Sequence, residues 1–308
     1  MIVDISMKQN SLKAWVLAAR PKTLSGAAVP VMLGGAYAWH LVQDVAKMEW
    51  MALALCFLFA FLMQIDANFI NDYYDCLKGR DNEERLGPLR ACQQGWVTMG
   101  AMRIAIAVTT LLACVAGLPL VYYGGWELIP AGIACVLFCF LYTTALAQRG
   151  MGDLLVLVFF GIVPTVLTTY VTVHSPQFTV YSPQLPWNVG VATGLVTDCL
   201  LLVNNYRDID NDRNSGKKTL VVRIGKPATE YLYMMLTPIA LVMVLLEFGF
   251  SSANMILAFI VYFLHIGTWN QMRRIGKGRA LNEVLGKTAS NIFIYGVITS
   301  LIIIGIIL

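Results

Sequence analysis

Charge is what this sequence has least of: Asp, Glu, Lys and Arg make up 13% of its 308 residues, against 58% apolar residues, and the mean hydropathy is +0.67. A soluble domain is excluded by that balance. Histidine is nearly absent, with His40, His174 and His265 scattered along the chain, which argues against a histidine-based metal site. The seven cysteines show no CxxC and no paired spacing, so neither a disulfide frame nor a zinc site is expected. No cleavable leader is expected either. The opening stretch "MIVDISMKQNSLKAWVLAARPK" carries four positive charges but no short apolar core followed by small residues. It reads as an amphipathic helix lying at a membrane interface.

What is abundant is apolar sequence in runs of membrane-spanning length. A crossing helix needs ~20 apolar residues, and nine segments meet or approach this, at 24–42, 50–72, 101–122, 128–147, 154–173, 187–205, 229–249, 253–271 and 289–308. The expected architecture is an all-α membrane protein, a bundle of nine transmembrane helices forming one domain over residues 1–308. Positive charge orients it. With nine crossings, 21 of the 22 Lys and Arg residues fall on one side and only Lys47 on the other. The positive-inside rule makes that side cytoplasmic, in the cell (inner) membrane, with the N-terminus inside and the C-terminus outside.

Two cytoplasmic loops join a long apolar helix to a cluster of carboxylates. The first, "NFINDYYDCLKGRD" at 68–81, packs three aspartates into ten positions; the second is "NNYRDIDNDRNSGKKTLVVRIGK" at 204–226. If span 2 continues as a helix, Asn68, Asp72 and Asp75 fall at i, i+4 and i+7 on one face, and Asp208 and Asp212 repeat the i, i+4 pair. Two such stripes repel unless cations lie between them. Mg²⁺ suits the arrangement, because it takes one or two carboxylates and lets substrate phosphates fill its remaining positions.

Arg20, Lys22, Arg80, Arg149, Arg207, Lys217 and Lys218 lie near the same boundary and supply the other half of a phosphate site. Carboxylates alone would suggest an ion path; with these cations they favour a metal-bridged diphosphate. At the mouth of an apolar bundle that implies a substrate whose tail belongs in lipid, a polyprenyl diphosphate. Asp210 lies off the 208/212 face and reads as solvated, Asp81 as a metal partner or a turn, and the Lys217-Lys218 run as phosphate ligands or a membrane anchor. Asp66 and Asp198 sit deeper in spans 2 and 6, where an ionisable group is either functional or satisfied by a neighbouring helix.

With these residues in view, the chain resembles the UbiA superfamily of intramembrane aromatic prenyltransferases. The resemblance covers the whole length and is most specific in "ARPKTL" (19–24), "NFINDYYDCLKG" (68–79), "ERLGPLRA" (84–91), "RGMGDLLVLVFFG" (149–161) and "NNYRDIDNDRNSGKKTLVVRIG" (204–225). It implies that Asn68, Asp72, Asp75, Asp208 and Asp212 hold Mg²⁺ and the prenyl diphosphate, and that Arg20, Lys22 and Lys218, with Arg149 nearby, bind diphosphate or an acceptor carboxylate. "RPKTL" and "GKKTLVVRIG" resemble the branch acting on 1,4-dihydroxy-2-naphthoate, in which the prenyl group replaces the ring carboxylate as CO₂ leaves. One departure from the family pattern is the short "YTTALAQRGMGD" loop, which lacks Pro and the family's Gly pattern. Expected partners are thus a polyprenyl diphosphate, 1,4-dihydroxy-2-naphthoate and membrane lipid, with no nucleic acid. Three rivals remain at this point: another acceptor such as 4-hydroxybenzoate, a cation-coupled transporter, which would keep its carboxylates near the midplane, and a structural membrane subunit.

Overall fold

A computed structural model describes residues 7–79, 86–173, 179, 182 and 184–305. Arg80, Asp81, Arg85 and His174 lie outside these described residues. Thirteen α-helices follow in chain order: α1 Leu12–Ala19, α2 Leu24–Val42, α3 Trp50–Leu77, α4 Met99–Gly117, α5 Leu120–Gly124, α6 Leu128–Leu141, α7 Gly152–Leu157, α8 Val163–Thr172, α9 Trp187–Arg207, α10 Ile209–Asn214, α11 Leu220–Phe248, α12 Ser252–Ile275 and α13 Leu281–Ile304. Extended pairing among the described residues is limited to an isolated bridge between Met48 and Val173.

Eight of the described segments are long and apolar enough to cross a membrane: α3, α4 with α5, α6 extended to Arg149, α7 with α8, α9, α11, α12 and α13. These match eight of the nine expected crossings. The remaining one, α2, has 19 residues, and at 1.5 Å per residue it reaches about 28 Å. Its apolar content is diluted by Gly34, Gly35, Pro30 and His40. Even so, it is deeply embedded: Val29, Leu33, Ala36 and Tyr37 share a core with Val196 of α9, Val244 of α11 and Tyr295 of α13.

Apolar area alone gives no drive for helices to associate in lipid, so close packing and buried hydrogen bonds must do it. Both are present. Gly161 and Gly194 let the turn between α7 and α8 touch the backbone of α9, since a Cβ on Gly161 would fall 2.5 Å from the Gly194 Cα. The Thr169 hydroxyl donates to the Gly34 carbonyl at 2.8 Å, tying α8 to α2. Asp66, deep in α3, accepts hydrogen bonds from the hydroxyls of Thr109 and Thr110 on α4. Of the two readings open for Asp66, the neighbouring helix therefore satisfies it.

The two halves differ in texture. Helices α9 and α11 to α13 pack densely with α2, whereas α6 buries none of its residues. One side of α6 faces outward and the other lines a cavity whose walls also come from α2, α3, α4, α5, α7, α8 and α9.

Candidate active site

α3 contains no Gly or Pro from Trp50 to Leu77 and runs unbroken through the first acidic motif, ending before Gly79 at φ +62. Its polar side chains divide by direction. The Asn68 amide donates to the Ala19 carbonyl (2.9 Å) and to the Thr23 hydroxyl (3.0 Å), fixing the corner that carries Arg20. Asp72 is 1% exposed, and its two oxygens accept the backbone N–H groups of Ala91 (2.9 Å) and Cys92 (3.0 Å). It thereby anchors the loop that brings in Arg90, whose guanidinium pairs with Asp75 at 2.8 Å. Each Asp72 oxygen retains a lone pair, so anchoring does not remove it from metal chemistry.

The second motif is split by a junction at Asp208, where α9 ends and α10 begins, yet the Asp212 amide still donates to the Asp208 carbonyl and the two residues stay one turn apart. Arg207 grips Asp208 through both oxygens, at 2.8 and 2.6 Å. Its Nη2 also donates to the side-chain oxygen of Asn204 (2.8 Å), and its Nη1 to that of Asn282 (2.7 Å). Asn282 in turn donates to the Leu86 carbonyl at 2.8 Å, so α9, α13 and the loop of the first motif are linked by one chain of polar contacts. Asp212 pairs with Lys217 at 2.9 Å. Asp210 points to solvent, 3.6 Å from Arg213, as its off-face position implies.

The two motifs meet. Burial raises the Asp212 carboxyl above the ordinary carboxylate range; Lys217 pulls it down, and the charges of Asp208 and Asp75 push it up again. Residues 137 positions apart in sequence, Asp75 and Asp212, thus share one electrostatic field. The Cys92 thiol, beside Asp72, is pushed up chiefly by burial and then by that carboxylate.

Among the basic residues singled out by sequence, Arg20 lines the cavity in a left-handed backbone conformation, φ +53. Lys22, Arg149 and Lys218 have exposed side chains. Arg149 and Lys218 nevertheless belong to one docked unit: the Lys218 amide donates to the Gln148 carbonyl at 2.9 Å, and Arg223 donates to the carbonyls of Lys218 and Arg149. Gly150, at φ +78, lies where a Cβ would meet the Lys218 carbonyl at 2.5 Å. The short loop is therefore held against the second motif.

Below the carboxylates opens a cavity of about 570 Å³. Its walls are mainly apolar, and its polar groups, Arg20, Thr23, Gln64, Asn71, Tyr142 and Asn204, include those nearest the two motifs. From Asn71 to Cys56 it follows α3 for about 22 Å. Asn71, Asn204 and Tyr142 were not singled out from the sequence. Asn71 lies within the first motif and Asn204 within the second, a symmetry that could have marked them. Tyr142 heads a π-helical turn, Tyr142–Leu146, a feature with no legible signal of its own.

The donor set fits a hard divalent cation in part-protein, part-phosphate coordination. All the side chains are oxygen donors, Asp75 and Asp208 both act electrostatically on Asp212, and each of the three sits beside a cation, Arg90, Arg207 and Lys217. Among the described residues no three acidic, His or Cys groups form a ready cage for a metal. Mg²⁺ typically leaves several of its positions to substrate and water. No disulfide joins the described cysteines.

Comparison with known proteins agrees with this geometry. The model of the UbiA prenyltransferase family matches residues 27–295. The 1,4-dihydroxy-2-naphthoate octaprenyltransferase of Escherichia coli strain K12 is 35% identical over 226 residues, covering 70% of this chain and 69% of that protein. The enzyme of the same name from Mycobacterium tuberculosis is 36% identical over 239 residues, covering 75% and 76%. Among solved structures, a UbiA homolog from Aeropyrum pernix K1 superimposes with a TM-score of 0.67 at 14% identity, covering 91% of this chain and 98% of that one. A UbiA homolog from Archaeoglobus fulgidus bound to DMAPP and Mg²⁺ gives 0.62 at 12% identity, covering 95% and 99%.

Proposed function

The chain belongs to the UbiA prenyltransferase family, and on that footing we propose that it transfers a polyprenyl group from a polyprenyl diphosphate to 1,4-dihydroxy-2-naphthoate. Diphosphate and CO₂ leave, giving demethylmenaquinol for menaquinone biosynthesis. The observation that carries this reading is the meeting of two acidic motifs, each bearing its own cations, at the mouth of an apolar cavity. Relatives named for this reaction, at 32–36% identity, supply the acceptor.

Asp75, Asp208 and Asp212, with Asp72 and the Asn68 carbonyl behind them, are the proposed Mg²⁺ ligands. Bound Mg²⁺ would supply positive charge to the departing pyrophosphate. The chain's own residues do the rest. Arg90, Arg207 and Lys217, which rest on these carboxylates, face the same pyrophosphate and add preorganised positive charge where negative charge develops. Arg20, Lys22, Arg149 and Lys218 form an outer basic ring that receives the diphosphate or the acceptor carboxylate. Asn71 and Asn204 offer neutral amides at the cavity entrance, and the apolar walls hold the prenyl tail and exclude water from the allylic carbon.

We further infer that α2 is the ninth crossing, that residues 1–308 act as one domain, and that the site faces the cytoplasm of the inner membrane. The apolar, exposed Leu12, Val16 and Leu17 of α1 support a helix lying on that surface. The test is Mg²⁺-dependent formation, in membranes containing this protein, of a prenylated naphthoquinol that has lost CO₂. Product formation unaffected by chelation would overturn the metal assignment.

A further inference from the structure

Asp198 of α9 is 7% exposed, and one of its carboxylate oxygens is buried with no hydrogen-bond partner. Unlike Asp66, it has no hydroxyl from another helix among the described residues to satisfy it. Asp153, at the start of α7, likewise has a buried oxygen without a partner. The two carboxyls act on each other electrostatically. Leaving a buried polar atom unpaired is costly, so two at one place need a reason.

Tyr142 lines the cavity, and the charges of Asp153, Asp198, Asp75 and Asp212 all act on its hydroxyl. Gly152 brings α7 against its ring, since a Cβ there would lie 3.8 Å from the Tyr142 Cε2 and 3.2 Å from Leu201 of α9. Tyr142 also opens a π-helical turn, a distortion that often marks functional sites.

Resting on the reaction read above, we propose that Tyr142 and the Asp153–Asp198 pair form a proton-holding path for the aromatic acceptor. The acceptor's ring hydroxyl gives its proton to the Tyr142 oxygen, while the Tyr142 proton passes to the carboxyl pair, directly or through one water. The oxygen's electron pair flows into the ring, the carboxyl-bearing carbon bonds to the allylic carbon, and the allylic C–O bond breaks with its electrons leaving on pyrophosphate. The ring C–CO₂⁻ bond then breaks, its electrons restore aromaticity as CO₂ departs, and the held proton returns along the same path to the ring oxygen. No proton is gained or lost overall, so a buried store that lends one proton suffices. Tyr142 is the group that touches substrate; Asp153 and Asp198 act through it.

The test compares the full-length wild-type protein with Tyr142→Phe, Asp198→Asn and Asp153→Asn, at saturating Mg²⁺ and prenyl diphosphate, measuring kcat for 1,4-dihydroxy-2-naphthoate from pH 6.5 to 9.5. Affinity for a non-reactive prenyl thiolodiphosphate is measured in parallel. The expected result for Tyr142→Phe and Asp198→Asn is a kcat lowered about 100-fold at pH 7 with thiolodiphosphate affinity unchanged. That deficit should shrink at least about tenfold toward pH 9.5, where a hydroxyl with an ordinary phenol pKa near about 10 begins to ionise unaided. A deficit equal at every pH, a matching loss of thiolodiphosphate affinity, or wild-type rates would overturn the proposal. A wild-type protein that prenylates no naphthoate would instead refute the reaction itself, and the proton path with it.

Discussion

Asp72 and Asp75 stand three residues apart on α3, and their side chains do different work. At about 100° per residue, the stripe of Ala60, Gln64, Ala67 and Asn71 that lines the cavity passes close to Asp75 and leaves Asp72 to one side, against Ala91 and Cys92. Asp75→Asn should therefore lower turnover by about 100-fold or more with little change in thermal stability. Asp72→Ala should lower both, because it strands two buried amides at about 1–3 kcal/mol each; assays paired with melting curves in detergent separate the two. Asp212 carries a pH prediction. Its carboxyl is raised, chiefly by burial, so between the ordinary and the raised value the folded protein holds a proton that the unfolded chain has released. Its contribution to stability is present at acid pH and is lost as pH rises through the raised value. Metal binding needs the ionised form, so the Mg²⁺ concentration for half-maximal rate should climb as pH falls through that same value. Removing Lys217, which pulls the carboxyl down, should move this acid limb to higher pH; a limb that stays in place in Lys217→Ala would contradict the assignment. The acids themselves were legible because carboxylates at a membrane boundary are conspicuous. Asn71, Tyr142 and the unsatisfied oxygen of Asp198 were not, since their importance depends on how the helices are rotated against one another, which one chain's periodicity does not encode.

Between helices, the contacts that set those rotations are small. Gly161 and Gly194 let the α7–α8 segment lie directly on α9, which places Asp153 near Asp198. Gly194→Val should force the two apart, destabilising the fold by about 1–3 kcal/mol. A lower melting midpoint in detergent, with lost turnover, is the expected result, and an unchanged midpoint would show that the contact is looser than described. The long spans were readable from hydropathy alone, and α3 continues through the first motif as its i, i+4, i+7 pattern implies. Two features were hidden. α2 carries its Gly, Pro and His in the interior of the bundle, where packing compensates for low hydropathy. α11 conceals a break at Gly225, φ 77, which separates the Leu220–Ile224 turn of the second motif from the span that follows.

As a whole, the molecule joins a dense half, α9 and α11 to α13 with α2, to an open half whose cavity is walled on one side by α6. This division suits a catalyst that must hold a rigid charged mouth and still admit an oily tail. A transporter would keep its carboxylates near the midplane on broken helices; here the acids of the two motifs lie at and just beyond the ends of α3 and α9, and of the two deeper ones Asp66 is satisfied by threonines while Asp198 sits on the unbroken helix α9. The central claim is that this mouth and cavity prenylate a naphthoate. It is tested most directly in membranes supplied with a polyprenyl diphosphate, Mg²⁺ and equal amounts of 1,4-dihydroxy-2-naphthoate and 4-hydroxybenzoate, with products weighed by mass spectrometry. The account predicts a Mg²⁺-dependent prenylated naphthoquinol lighter by one CO₂ than the simple adduct; prenylated hydroxybenzoate as the main product, or no prenylated product at all, would contradict it.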